Sequence, residues 1–350
     1  MKRENNIDFL KVIACVMVIS IHVSAFWVDK YLLTDNYKFL IANFWDSSSQ
    51  IAVPIFVMIA GRYAISDYRN ENVKGYYKKI FRRIYIPTII WSILYIIYNY
   101  LIQILAFFIK GDEIDIFSPI KSFIIGCPAY HMWYLYMMIG IYLSAPFLIQ
   151  FKKKYGEDKL FKLGIGFFLI GLGIVFLKIY LNRIDFYEKK EIFRYFKYFW
   201  ELEYFKFINY IGYFILGYSL KDKKISVRKS LSIYLFFLFS LWLIVVKTRS
   251  LFYYNSNSIF IIGGTISLYL LFNNLEINYD FSKLEKYTFD IYLVHAGILT
   301  AIFIFLTQIL KYEPNIVWYI PLTIVLIFLI SLIFSIILEK VLNKIKDRNA

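Results

Sequence analysis

Four long stretches of this chain contain no charged side chain, and this feature restricts the fold more than any other. They cover residues 84–109, 132–151, 250–275 and 314–338. Each stretch reaches the roughly 20 residues that a helix needs to cross a bilayer. Because lipid cannot satisfy backbone hydrogen bonds, each stretch is predicted to form a transmembrane helix.

Weaker apolar segments complete the pattern of an all-α integral membrane protein, a bundle of about ten transmembrane helices. Hydrophobic residues make up 60% of the chain, more than a soluble protein of this size can bury. The loops are too short to hold a core of their own, which predicts a single polytopic domain over residues 1–350 with no soluble domain. The predicted spans are residues 7–28, 47–66, 84–109, 131–151, 160–180, 205–220, 230–247, 256–274, 288–310 and 316–339.

The net charge of +15 is distributed in a way that indicates membrane topology. The alternate loops 67–83, 152–159, 221–229 and 275–287, together with both tails, hold most of the 40 Lys and Arg residues. Positive charge favours the cytoplasmic side. The sequence therefore predicts a protein of the plasma membrane with cytoplasmic N- and C-termini. Its partner is the anionic lipid bilayer, and no nucleic acid is expected.

Two further segments carry structural predictions. Residues 181–204 mix charged and aromatic side chains, which is typical of an amphipathic helix on the outer surface. The segment 160–180 contains Gly164, Gly166, Gly171 and Gly173, which permit close helix packing.

His22 is the most informative single residue, because an ionisable side chain inside a membrane span is costly and marks a candidate site. Imidazole is also the side chain best suited to proton transfer near neutral pH. Lys11 precedes His22 by eleven residues, about three helical turns, so the two side chains are predicted to share one face. Asp8 lies three residues before Lys11 and can pair with it. The alternative for Lys11 is a snorkelling cation near a helix end.

Several motifs occur in an order that resembles the acyltransferase-3 family of polytopic membrane acyltransferases, which O-acylate sugars and bacterial surface polymers. The family opens with Ile-Asp-x-Leu-Arg and a His eleven residues after the Arg, and here Ile7-Asp8-Phe9-Leu10-Lys11 is followed by His22. Lys11 replaces the usual Arg, which keeps the charge but loses the planar guanidinium. Other segments that resemble family motifs are 53–63, 79–87, 131–135, 142–146, 213–218 and 288–295.

The resemblance implies that acetyl-CoA or another acyl-CoA is the donor substrate. Its phosphates need cations on the cytoplasmic side. The candidates are Lys11, Arg62, Arg82 and Arg83, although ordinary positive-inside loop charge also explains the last two. No bound cofactor is expected. The two Cys and three His residues lack the spacing of a metal site.

The resemblance also implies a carbohydrate hydroxyl as acceptor, on a polysaccharide, a lipid-linked glycan or a related sugar. A hydroxyl is a poor nucleophile until a base takes its proton, and His22 is the predicted general base. His131 and Trp133 are candidates for the acceptor entrance, or else members of an interfacial aromatic belt. His295 is either part of the pocket or a hydrogen-bonded structural group.

Two functions of other classes remain open at this point. One is a transporter or flippase for a lipid-linked sugar, although the internal repeats common in transporters are not evident in the sequence. The other is a non-catalytic membrane sensor or assembly component. Labelling of a glycan from acyl-CoA separates the acyltransferase from both.

Overall fold

The computed structural model describes residues 4–183, 203–312 and 314–348, and every regular element in these ranges is helical. The predicted surface helix over 181–204 lies almost wholly outside the described residues. The α-helices, numbered in chain order, are α1 Asn5–Tyr31, α2 Asn36–Ser49, α3 Ala52–Ser66, α4 Val73–Ile80, α5 Ile86–Lys110, α6 Phe117–Ile125, α7 Trp133–Tyr155, α8 Glu157–Arg183, α9 Phe207–Ser219, α10 Val227–Thr248, α11 Ile259–Asn274, α12 Ser282–Glu285, α13 Thr288–Ile304 and α14 Ile316–Arg348.

Nine helical segments of the described chain are long and apolar enough to cross a membrane. They are Asn5–Tyr31, Asn36–Ser66, Val73–Ile109, Trp133–Tyr155, Glu157–Leu177, Val227–Thr248, Leu251–Asn274, Thr288–Thr307 and Ile316–Lys344. The predicted tenth span, 205–220, coincides with α9. At 13 residues this helix is shorter than the roughly 20 residues that cross a bilayer.

The predicted spans 7–28 and 47–66 imply a loop over residues 29–46, and this prediction was wrong. Helix α1 continues to Tyr31, and α2 begins at Asn36 after only a short turn. The side chain of Asp35 caps α2 by accepting a hydrogen bond from the Lys38 backbone N–H at 3.0 Å. The polar residues of α2 suggested a loop, but several of them are buried against neighbouring helices instead.

The chain divides into two compact units, and the first comprises residues 1–56 and 222–350. Helix α1 is central to this unit, because it packs against α2, α11, α12, α13 and α14. Ile7, Leu10 and Ile19 of α1 are fully buried. Helices α10 and α11 pack against each other, and α10 also contacts α2.

The second unit comprises residues 57–221, and its helices α7, α8 and α9 pack against one another. Helices α3 and α9 cross at two glycines. A Cβ atom on Gly61 would lie 1.8 Å from the Phe214 carbonyl oxygen, and one on Gly217 would lie 1.8 Å from the Met58 carbonyl oxygen. Only glycine permits backbones to approach so closely.

The predicted glycine packing in α8 is confirmed at Gly164, and Gly171 is also buried. A Cβ on Gly164 would meet the Ile215 side chain at 2.9 Å, whereas Gly166 and Gly173 face open space. The glycines that the packing requires most, Gly61 and Gly217, were not singled out from the sequence.

Large apolar side chains cover the outer faces of several spans. On α5, Ile90 and Ile93 are about half exposed, and on α10, Phe236 and Phe239 are more than half exposed. Exposure of so many large apolar residues is unfavourable in water and favourable in lipid. Together with the nine apolar segments, this surface identifies a multi-pass membrane protein.

Candidate active site

The candidate site lies where α1 packs against α12 and α13 in the first unit. Three residue pairs occur in order along these helices. In each pair the two residues are 273 or 274 positions apart in the sequence. The Lys11 ammonium pairs with the Glu285 carboxylate, the Cys15 thiol lies 3.7 Å from the Thr288 carbonyl oxygen, and the His22 ring faces that of His295. The nearly constant offset means that α1 and α13 run in the same direction. The predicted common face of Lys11 and His22 is confirmed.

The two imidazoles form the centre of this site. Their ring centroids are 5.3 Å apart, and their planes meet at 29°. His295 is fully buried, whereas His22 is partly exposed. Part of the His22 ring surface is therefore accessible, while its buried neighbour contacts only protein.

His295 is held by its own helix. Its Nδ1 lies 2.6 Å from the Tyr292 carbonyl oxygen and 3.2 Å from that of Ile291. Such contacts within one helical turn fix the orientation of the ring. The sequence left two roles open for His295, a pocket residue or a hydrogen-bonded structural group. Its ring is hydrogen-bonded within its own helix and also faces His22.

Lys11 has a partner that its spacing in α1 could not supply. Glu285 ends the short helix α12, and both side chains of the pair are about one-fifth exposed. The pair links Lys11, which was predicted to bind the donor, to the short segment that precedes α13. Asp8, the predicted partner, is itself buried.

The predicted donor-binding arginines all lie in the second unit, in different surroundings. Arg62 follows Gly61 in α3, and its side chain is buried. Its Nη1 donates a hydrogen bond to the Lys221 carbonyl oxygen at 3.2 Å. Arg82 and Arg83 are exposed. They belong to the π-helical turn Phe81–Tyr85, a wide turn found often at functional sites.

Two lysines that contact the last residues of α3 were not predicted from the sequence. The Lys152 ammonium donates to the Ile65 carbonyl oxygen, and that of Lys221 donates to the Ser66 hydroxyl, both at 3.1 Å. Both ammonium groups also lie within 5 Å of the Tyr218 ring centroid, at 4.7 and 4.4 Å. The sequence placed both lysines in basic cytoplasmic loops and gave no signal that they approach α3.

His131 and Trp133 also belong to the second unit, but they have different neighbours. His131 is buried, with its ring edge-on to Tyr95 at 5.0 Å and to Tyr130 at 5.7 Å. The Lys206 ammonium lies 4.8 Å from the Trp133 ring centroid, a cation–π contact. His131 is therefore enclosed by aromatic rings, whereas Trp133 is partly exposed.

A buried polar network on α2 was missed, because residues 29–46 were assigned to a loop. Asp46 is 3% exposed, and its carboxylate accepts hydrogen bonds from the Ser24 hydroxyl at 3.3 Å and the Gln50 amide at 3.1 Å. Asn43 accepts from the Tyr254 hydroxyl. Positions 43, 46, 47 and 50 are all polar and follow helical spacing, which is the signal that could have identified them.

The network and the imidazole pair lie on different sides of α1. Ser24, which contacts Asp46, follows His22 by two residues, a rotation of about 200° around the helix. Helix α1 thus presents hydroxyls towards α2 and an imidazole towards α13. Within the described residues, no group of three or more His, Cys, Asp or Glu side chains is arranged to hold a metal ion.

Comparison with known proteins gives one match. A model of the acyltransferase-3 family, described as an acyltransferase domain, matches residues 4–340. No curated protein and no solved structure shows a significant match to the chain. The matched range includes His22, His295 and every other residue predicted for the site.

Proposed function

The chain belongs to the acyltransferase-3 family, and from this premise we propose that it is an O-acyltransferase of the plasma membrane with His22 as general base. The donor is acyl-CoA, most simply acetyl-CoA. The acceptor is a hydroxyl of a cell-surface polysaccharide, a lipid-linked glycan or a related sugar. The observation that carries this proposal is the partly exposed His22 imidazole within a membrane-spanning helix, facing the buried His295.

The chemistry requires a base and a route for one proton. As the acceptor oxygen attacks the thioester carbonyl, His22 takes the hydroxyl proton. The carbon–sulfur bond then breaks, and His22 returns the proton to the thiolate of CoA. Proton transfer by a positioned side chain typically accelerates such a step about 10²- to 10⁴-fold.

The basic residues support an anionic donor. Lys11, Arg62, Arg82 and Arg83 are each proposed as a cation that can bind a CoA phosphate, since charge-assisted hydrogen bonds to phosphate are strong. Exposed Arg82 and Arg83 suit a first contact with a ligand from the cytoplasm. Arg62 is buried and suits a contact that forms only once the donor is seated.

The aromatic side chains support a sugar acceptor. Trp133 is partly exposed and presents an apolar ring of the kind on which sugar rings stack. His131, enclosed by Tyr95 and Tyr130, is proposed to shape the same entrance. His295 completes the proposed pocket at His22.

The test uses the full-length protein reconstituted in proteoliposomes with radiolabelled acetyl-CoA and glycans from the host. We expect His22→Ala to lower transfer at least about 100-fold, the lower end of what a general base contributes. Met17→Leu in the same helix is a matched control and should retain wild-type transfer. Thermal unfolding in detergent verifies that both variants fold.

Full turnover by His22→Ala would show that His22 is not the base. Transfer of no label by the wild-type protein to any glycan, together with counterflow of a lipid-linked sugar, would replace the acyltransferase with a transporter.

A further inference from the structure

A groove runs between α2 and α10 on the surface of the first unit. Two hydrogen bonds tie the helices together beside it. The Trp242 indole N–H donates to the Leu40 carbonyl oxygen at 3.4 Å, and the Asn43 amide donates to the Trp242 carbonyl oxygen at 3.2 Å. The groove has a volume of about 380 Å³, within the range of pockets that hold small ligands. Its walls include Phe44, Ser47, Ser48, Leu235, Leu238 and Trp242.

The walls of the groove present hydrocarbon, although two of the lining residues are serines. The Ser47 hydroxyl donates to the Asn43 side-chain oxygen at 3.0 Å and lies 3.2 Å from the Tyr254 hydroxyl. The Ser48 hydroxyl donates to the Trp45 carbonyl oxygen at 2.9 Å. A polar ligand would lose its hydrogen bonds to water in such a groove without replacing them, whereas an apolar chain has none to lose.

The groove opens on the part of the surface that faces lipid. Phe44 and Leu235 are about half exposed, and Phe239, which also lines the groove, is 58% exposed. Helix α10 coincides with the membrane-spanning segment Val227–Thr248. An occupant therefore reaches the groove from the hydrocarbon region of the bilayer.

The face of α10 that lines the groove ends at a cation. Arg249 follows Trp242 by seven residues and Leu235 by fourteen, close to two and four helical turns, so the three positions share one face. The Arg249 backbone N–H still donates to the Val245 carbonyl oxygen at 2.9 Å, which continues the helical repeat to this residue. At about 1.5 Å per residue, the stretch from Trp242 to Leu235 lies roughly 10 to 21 Å from Arg249 along the helix axis.

Arg249 is placed to bind an anion at the level of the lipid headgroups, because it directly follows the membrane-spanning segment. Its guanidinium donates to the Leu32 carbonyl oxygen at 3.2 Å and to the Asn36 amide oxygen at 2.6 Å. Both acceptors are uncharged, so neither neutralises the guanidinium. Guanidinium groups bind phosphate through strong charge-assisted hydrogen bonds. Lys247, in the last turn of α10, is exposed and adds a second positive charge at this end.

We propose that this groove binds one acyl chain of an anionic phospholipid whose phosphate contacts Arg249. The distances support this occupant, because an acyl chain that starts at the headgroup level extends to about the middle of the bilayer, roughly 20 Å away. The polyprenyl chain of a lipid-linked glycan is much longer and would extend past Leu235, where the groove ends. The proposal does not depend on the proposed acyltransferase activity.

The test is native mass spectrometry of the full-length protein in detergent, titrated with phosphatidylglycerol. We expect one tightly bound lipid per protein. Ser48→Phe places a ring in the groove and should weaken this binding at least about tenfold, since the ring leaves no room for the chain. Ser232→Phe is the matched control, because Ser232 is exposed on α10, outside the groove, and its hydroxyl also bonds within its own helix. It should bind phosphatidylglycerol like the wild type.

The headgroup contact is tested with a diacylglycerol that has the same chains and no phosphate. The wild-type protein should bind phosphatidylglycerol about fivefold more tightly than this diacylglycerol, from about 1 kcal/mol for one arginine near the membrane surface. Arg249→Gln should abolish this preference, and Arg249→Lys should keep most of it. Thermal unfolding in detergent verifies that the variants fold.

Two results would overturn the proposal, and the wild-type protein alone can give either of them. Several weakly bound lipids with no headgroup preference would mean that the groove holds only ordinary boundary lipid. Displacement of phosphatidylglycerol by an equimolar polyprenyl phosphate would assign the groove to a different lipid. Equal binding by Ser48→Phe and Ser232→Phe would place the bound lipid elsewhere on the protein. These outcomes stand whether or not the protein transfers an acyl group.

Discussion

The two units of the protein hold their central helices in opposite ways. In the first unit, α1 is fixed by polar side chains on two faces: Ser24 contacts Asp46 of α2, and His22 faces His295 of α13. In the second unit, α3 and α9 meet backbone to backbone at Gly61 and Gly217. In a contact made by side chains, one side chain can be exchanged without moving the helices, so such a contact can include reactive groups. A contact made by glycine has no room for another atom, so it fixes the geometry.

The largest expected effect is on the glycine crossing. Gly217→Ala places a methyl group 1.8 Å from the Met58 carbonyl oxygen, so the two helix backbones must separate. We expect a loss of at least about 3 kcal/mol in the free energy of unfolding, the upper range for overpacking. Thermal unfolding in detergent measures it.

Gly166→Ala is the matched control, because its new Cβ meets no heavy atom within 4 Å. It should change stability by less than about 0.5 kcal/mol. Equal melting temperatures for the two variants would show that the second unit does not depend on close backbone contact.

A smaller effect is expected from the polar network of the first unit. Asp46→Leu removes the acceptor for the Ser24 hydroxyl and the Gln50 amide, and we expect a loss of about 1–2 kcal/mol. Asp46→Asn keeps one acceptor oxygen and should lose less than half of that. The same thermal unfolding assay compares them, and a more stable Leu variant would mean that the network contributes nothing to holding α1 against α2.

The smallest effect concerns a polar contact of the second unit that lies outside its spans. Asp67 accepts hydrogen bonds from the Arg69 guanidinium, the shortest at 2.9 Å, and these bonds lower the pKa of its carboxyl below the ordinary 3.8. A carboxyl with a lowered pKa stabilises the folded state above pH 3.8 and loses that contribution as the pH falls through the lower folded value.

Asp67→Asn should therefore cost less than about 1 kcal/mol at pH 7, since the Arg69 side chain is largely exposed. The difference from wild type should shrink as the pH falls below 3.8 towards the lower pKa of the folded protein, where the wild-type carboxyl also becomes neutral. Melting temperatures at pH 7, 5 and 3 measure this difference. A difference that does not change with pH would show that the effect comes from the shape of the side chain at position 67 and not from its charge.

Much of the fold and part of the site were predictable because they depend on local spacing. Uncharged runs of membrane-spanning length gave the helices, and the eleven residues between Lys11 and His22 gave their common face. Asp46 was missed because it falls between the predicted spans 7–28 and 47–66. The polar spacing of residues 43, 46, 47 and 50 shows that such residues can instead form one buried helix face.

The partners of the site residues were beyond the sequence, since they come from distant parts of the chain. Lys11 and Glu285 are 274 residues apart, and Arg62 and Lys221 are 159 apart. No local pattern relates such positions, and basic or acidic residues near helix ends have many potential partners.

The sequence by itself determined an apolar, helical membrane protein and the residue types available for proton transfer, because hydropathy and helical periodicity are properties of neighbouring residues. The tertiary structure alone decided that His295 faces His22 with Nδ1 already bound, and that two glycines mark the α3–α9 crossing. These features depend on which helix faces pack together, and packing is settled by the fit of whole surfaces and not by any one segment.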